Sequence, residues 1–226
     1  MAKKKVSRKE LLKTPDEFMT LSARAVEFAT RHQRHLQYVG IGICIVIVLY
    51  LAWNTYMRYV NKKGLAAYNE AHYALIESMR GEIKPGVFQR SGQQFYAVVD
   101  EHALSRAAKL ALPQVAYAKF AEKNYDQAIE LYEQFLEKVS GKKDYESLTH
   151  LALAACYEAK GDLKSAAESL TRITDRAEDP FREVAMISLA RIHRLENRPH
   201  KEKEILKAFI QAYPASPYTP LAKAKM

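Results

Sequence analysis

Only two cysteines, Cys44 and Cys156, occur in 226 residues. They lie in different segments, so neither a disulfide framework nor a cysteine zinc site can be built from them, and both read as small hydrophobes. The seven histidines form no His-Glu-x-x-His pair. Cys-x-x-Cys, Gly-x-Ser-x-Gly and the Walker-type glycine loop are also missing, which removes the common metal, acyl-transfer and nucleotide signatures. His150 and His193 fall on helix packing positions and read as hydrogen-bonded interface imidazoles. His32 and His35 share a helix face, but two ligands do not make a metal site. No catalytic residue, metal or cofactor is expected.

Formal charge is absent from residues 38–57, YVGIGICIVIVLYLAWNTYM, in a chain that is 27% charged. Twenty helical residues cover ~30 Å, the thickness of a bilayer's hydrocarbon layer. Nine of the twenty are Val, Ile or Leu, together about −3 to −5 kcal/mol for insertion, with no central charge to oppose it. Tyr38 lies at one end and Trp53 with Tyr56 at the other, where amphipathic rings suit the interface. A soluble core helix would show a polar face at a 3.6-residue period, and none is seen. Neither an Ala-x-Ala-like cleavage pattern nor a small residue before Cys44 is present, so the run reads as an uncleaved single-span anchor.

The net charge of +9 is unevenly placed. Residues 1–37 carry nine Lys/Arg against four Asp/Glu, whereas residues 59–226 carry 25 against 22. A nearly balanced domain behind a short basic segment argues against a nucleic-acid face. The basic tail favours a cytoplasmic N-terminus, although Arg58, Lys62 and Lys63 on the far side match Arg24, Arg31 and Arg34 in number. Within the tail, Thr14-Pro15-Asp16-Glu17 reads as a helix start with a capping box. Phe18, Leu21, Ala25 and Phe28 then form an apolar stripe suited to a membrane surface. Lys3, Lys4, Lys5, Arg8 and Lys9 add membrane affinity or a contact to a partner.

Behind the anchor the chain repeats. LALAACYEAKGDLKSAAESLTRI, residues 151–173, reads as a helix, a Gly161-Asp162 turn and a second helix. It aligns with residues 116–135 and 189–209. This resembles the tetratricopeptide repeat, a 34-residue helix-turn-helix unit. Its small first-helix residue is matched by Ala116, Ala154 and Ala190, and its second-helix alanine by Ala128 and Ala166. Tyr132, Leu170 and Leu206 follow, then Phe135, Ile173 and Phe209. The third unit departs at Glu202 and Pro199, which predicts a looser crossing, and Pro214 matches the closing proline. Steps of 36, 38 and 37 residues back from Leu206 through Leu170 and Tyr132 reach Phe95. An earlier, degenerate unit is thereby marked, with residues 65–80 as its first helix and Lys84-Pro85-Gly86 as breaker. Ser216 and Pro217 are expected to open a last helix running to Met226.

The expected fold is all-α: a single N-terminal transmembrane helix, then a tetratricopeptide-like α-solenoid of about three to four helical hairpins. The divisions are 1–37, a basic cytoplasmic tail with an amphipathic helix; 38–57, the span; 58–105, a helical connector and degenerate repeat; and 106–226, the repeats with a capping helix. Stacked hairpins bury a continuous core and leave a concave surface.

In the resembled family, ligands meet first-helix side chains facing the groove. By register these are Tyr117 and Phe120, then Ala155 and Glu158, then Arg191 and Arg194. An aromatic end and a cationic end suit an extended peptide with apolar and acidic features. The alternative is that Tyr117 and Phe120 pack on the degenerate unit while the arginines are solvated. The family's carboxylate clamp would need Lys and Asn where Pro113, Tyr117, Leu151 and Ala155 stand, so acidic chaperone tails are not expected ligands. In overall plan the chain resembles the ancillary subunits of the bacterial Sec translocon, the YfgM-like envelope proteins. That likeness implies a non-enzymatic, single-pass inner-membrane protein with a periplasmic repeat domain. The partners it implies are translocon subunits, periplasmic chaperones and exported clients. A structural scaffold of another envelope complex is the alternative.

Overall fold

The computed structural model describes residues 17–226 apart from 81 and 83, and every regular element among them is a helix. Thr14, Pro15, Asp16 and the basic cluster from Lys3 to Lys9 lie outside the described residues. The chain divides into two compact units, residues 1–56 and 57–226.

The first unit holds α1 (Glu17–Arg31) and the beginning of α2 (Gln33–Ser78). No proline stands between Pro15 and Pro85, so nothing withdraws a backbone donor along the 46 residues of α2. Its best 18-residue window has a mean hydropathy of 2.1, and none of that window is buried. It is the one described helix long and apolar enough to cross a membrane. All nine Val, Ile and Leu side chains between Val39 and Leu51 are more than half exposed. Phe28 stacks on His32, and His32 meets His35 edge-on.

The second unit begins with the remainder of α2, from Met57 onward. It continues through α3 (Val87–Glu101), α4 (Arg106–Ala121), α5 (Tyr125–Lys138), α6 (Lys143–Lys160), α7 (Leu163–Thr174), α8 (Arg182–Leu195), α9 (Pro199–Ala212) and α10 (Thr219–Ala224). From α3 onward each helix packs on the next. This is the antiparallel order of an α-solenoid.

The crossings are close because the residues at them are small. Ala116 packs with Ala128 and Tyr132, and Ala154 with Ala166 and Leu170. Ala190 packs with Leu206 and Phe209. Phe95, Phe209 and Ile173 are fully buried second-helix side chains. In the earlier unit Ala71 joins Phe95, Val98, Ala107 and Ala111. Gly92 and Gly64 approach more closely still: a Cβ on Gly92 would lie 2.7 Å from that of Ala118, and one on Gly64 only 2.3 Å from Ser105 Oγ.

Within the three hairpins from α4 to α9 the turn is the same. Lys123, Gly161 and Asn197 all have positive φ, at 62°, 88° and 58°. The next amide donates to the carbonyl five residues back: Asn124 to Lys119, Asp162 to Tyr157 and Arg198 to His193. This is the Schellman closure of a helix C-terminus.

The edges of the repeats differ from expectation in three places. The first helix of the earlier unit ends at Ser78 and its second begins at Val87, after Gly86 at φ 79°. Pro199 lies in the first turn of α9, where a missing N–H costs nothing, so it leaves the turn to Asn197. The last helix starts at Thr219 rather than Pro217, because Ser216 Oγ accepts from the Tyr218 amide and donates to Glu183, holding the chain in a turn first. Ala222 of that helix covers Met186, Leu206 and Phe209.

Candidate functional site

A cleft of about 550 Å³ opens between the first helices of two successive hairpins. One wall is α4, with Leu110, Pro113, Gln114 and Tyr117; the other is α6, with Tyr145, Leu148, Thr149 and Ala152. Tyr132 and Phe135 of α5 form the floor, and Tyr68 of α2 closes one side. The volume falls in the usual range for ligand sites, ~300–1,000 Å³. No formally charged side chain lines it. Burial raises the Tyr68 and Tyr132 phenols above their ordinary range, so both stay neutral at physiological pH.

Repeat register explains the walls. Leu110, Leu148 and Val184 each stand six residues before the crossing alanine of their helix, and they are 36%, 48% and 43% exposed. Leu110 and Leu148 both line the cleft, and Val184 repeats their position in the next hairpin.

Of the six side chains placed in the groove from sequence, Tyr117 alone lines this cleft. It is 46% exposed and meets Phe88 of the earlier unit edge-on, ring centroids 5.6 Å apart. Phe120 stacks on Tyr117 and tilts against Tyr125, half-buried beyond the cleft wall. Glu158 and Arg191 are bound to each other by a two-pronged ion pair, with Arg191 Nη2 2.7 Å from Glu158 Oε2. Arg194 lies 3.7 Å from Glu202. The expected cationic end of the groove is therefore neutralised by its own acids. Glu202 stands where the other units have the second-helix alanine, and a cavity of about 70 Å³ lies beside it.

Tyr68, Leu110, Tyr145 and Leu148 were not singled out from sequence, and neither was the Tyr132–Phe135 floor. The equivalence of Leu110, Leu148 and Val184 was available as a signal. Tyr132 and Phe135 read as packing residues, which they are; the separation of α4 from α6 also turns one edge of each toward the cleft.

The histidines differ from each other. His193 Nδ1 lies 2.9 Å from Glu196, as expected of a satisfied imidazole. His150 departs from that expectation: it is buried and its Nδ1 has no partner. Burial, with Arg172 and Arg176 nearby, holds its pKa below the ordinary value against the pull of Glu146. Burial also pushes the Cys156 thiol up to about 11, which makes it unreactive. Among the described residues, no cluster of His, Cys, Asp and Glu could hold a metal.

The tetratricopeptide repeat family matches residues 119–192, from the end of α4 through most of α8. That segment is similar to tetratricopeptide repeats. Solved structures agree on the fold. The nearly identical TPR-like repeats of a kinesin light chain from Podosopora anserina superpose with a TM-score of 0.55 at 18% identity, covering 71% of this chain and 81% of that one. A second crystal structure of that protein gives the same TM-score and identity and covers 82% of its own chain. No curated protein matches the chain. Tetratricopeptide repeats are in general protein-binding surfaces, and the aromatic cleft lies on the first-helix side of these ones.

Proposed function

We propose that this tetratricopeptide-repeat protein is a non-enzymatic, membrane-tethered binding protein of the bacterial inner membrane. Its N-terminus is cytoplasmic and its repeat domain periplasmic. It is ancillary to the Sec translocon, meeting exported chains and passing them to periplasmic chaperones. The observation that carries this reading is the joint presence in one chain of an uncovered apolar helix stretch and an open aromatic cleft. A soluble helix leaving nine aliphatic side chains in water would be strongly disfavoured, whereas lipid covers them. Tethering raises the local concentration of a weak site near its clients, so modest affinity suffices.

One observation favours the alternative of a structural scaffold. On α2, Leu65, Tyr73, Ile76 and Met79 are exposed at the start of the solenoid, where terminal repeats normally present a polar face. A permanent neighbour would cover them.

A photoreactive phenylalanine in place of Tyr117 separates the readings in intact cells. Many short-lived nascent chains plus translocon subunits are expected; one stoichiometric neighbour would replace the client-binding reading with the scaffold. Alkaline carbonate should leave the chain in the membrane pellet, and its release would end both.

A further inference from the structure

We infer that the cleft takes an uncharged aromatic side chain of an extended polypeptide segment with acidic residues on one flank, and that Arg106, Lys109 and Lys142 read those acids rather than Arg191 and Arg194. This inference rests on the binding reading above and names the chemistry of its ligand.

The walls exclude charge. A carboxylate or ammonium placed among Tyr68, Leu110, Tyr132 and Leu148 would lose its water with no partner in return. An aromatic ring would find tyrosine edges and faces at stacking distance. Tyrosine faces alone also attract Lys and Arg. The rim decides between these occupants. Lys142 Nζ lies 5.9 Å from the Tyr145 ring centroid. Arg106 and Lys109 stand one helical turn before Leu110 and Pro113 on α4, and all three cations are exposed. None of the three is engaged in an ion pair among the described residues. Asp144, one turn before Leu148, is the acid on the matching stripe of α6. The rim therefore carries net positive charge, which repels a basic segment and attracts an acidic one.

Elsewhere the groove is already satisfied. Glu158 and Arg191 join α6 to α8 across the next gap, and Arg194 faces Glu202, so an acidic ligand there would have to displace an internal carboxylate.

The test uses the purified full chain in lipid nanodiscs and fluorescence anisotropy with three labelled peptides. The first is Gly-Asp-Glu-Gly-Phe-Gly-Tyr-Gly; the second replaces its acids with lysine; the third replaces its aromatics with alanine. The first should bind at least tenfold more tightly than either other. Leu148→Asp, at an exposed position that leaves packing intact, should cost at least tenfold. Arg106→Glu combined with Lys142→Glu should transfer the preference to the lysine peptide. Arg191→Ala should stay within twofold of the parent. Equal binding of the lysine peptide, full affinity of the alanine peptide, or a tenfold loss in Arg191→Ala would overturn the inference. So would failure of all three to bind. If crosslinking at Tyr117 still captures many polypeptides in those cases, the general binding reading survives and only the chemistry named here is wrong.

Discussion

Among the described glycines Gly64 leaves the least room for a Cβ, and the reason lies in Ser105. That serine is fully buried, and its Oγ accepts from the Ala108 amide at 3.1 Å, capping α4, while Asn61 Oδ1 accepts from the Arg106 amide at 2.8 Å. Any side chain at position 64 would collide with the cap. Alanine ordinarily improves a helix over glycine by about 1 kcal/mol, but overpacking of this kind costs about 1–3 kcal/mol. Gly64→Ala should therefore lower stability by up to about 2 kcal/mol in urea unfolding of the full chain in detergent micelles. Adding Ser105→Gly should recover part of the loss, because glycine is a tolerable cap and removes the colliding atoms. Sequence reading had no means of finding this pair, since the residues are 41 positions apart and neither belongs to the repeat pattern.

At the scale of the element, the shared turn has one geometry and three different residues. Gly161 suits its positive φ without cost, and no neighbour lies within 4 Å of where its Cβ would be. Asn197 tolerates the conformation, whereas Lys123 has only the Cβ penalty to bear. Lys123→Gly should raise stability by about 0.5–1 kcal/mol in thermal unfolding, and Gly161→Ala should lower it by about 1 kcal/mol. Peptide binding in the cleft should be unchanged by both. The Gly161-Asp162 turn was legible from its residues. The other two were legible only through alignment to it, since neither Lys123-Asn124 nor Asn197-Arg198 contains the glycine that usually marks a Schellman turn.

For the whole molecule, stability is close to a sum over units and the interfaces between neighbours, so the weakest junction sets the behaviour. Between the second and third hairpins an apolar core joins Leu170 and Ile173 to Ala185, Leu189 and Ile192, and a polar network flanks it. Ser147 donates to Asp179 at 2.5 Å, Arg176 pairs with Glu146 at 2.8 Å, and the Gly141 amide donates to Glu146 at 2.8 Å. That amide, helped by Arg176, holds the Glu146 carboxyl below its usual range. His150 sits beside this network with a depressed pKa. The folded state resists protonating it while the unfolded state accepts the proton near pH 6.5, so its contribution is complete above that pH and is lost as pH falls below it. Thermal unfolding at pH 7.5 and 5.5 should show a drop in Tm on acidification, smaller in His150→Leu. An equal drop in both chains would assign the effect to the other histidines.

What the sequence by itself determined is periodic or contiguous. The helical class, the hairpin repeat and its small crossing residues are legible because each depends on spacing along one helix or between equal turns. The uncharged run was equally plain, since it needs only counting. The cleft and the ion pairs that neutralise the other end of the groove were decided by tertiary structure. Whether Tyr132 faces a neighbour or an opening depends on how far α4 stands from α6. Whether Arg191 is free or paired depends on Glu158 reaching it from another hairpin, 33 residues away. Such distances between helices arise from packing of the whole stack, and no local pattern encodes them.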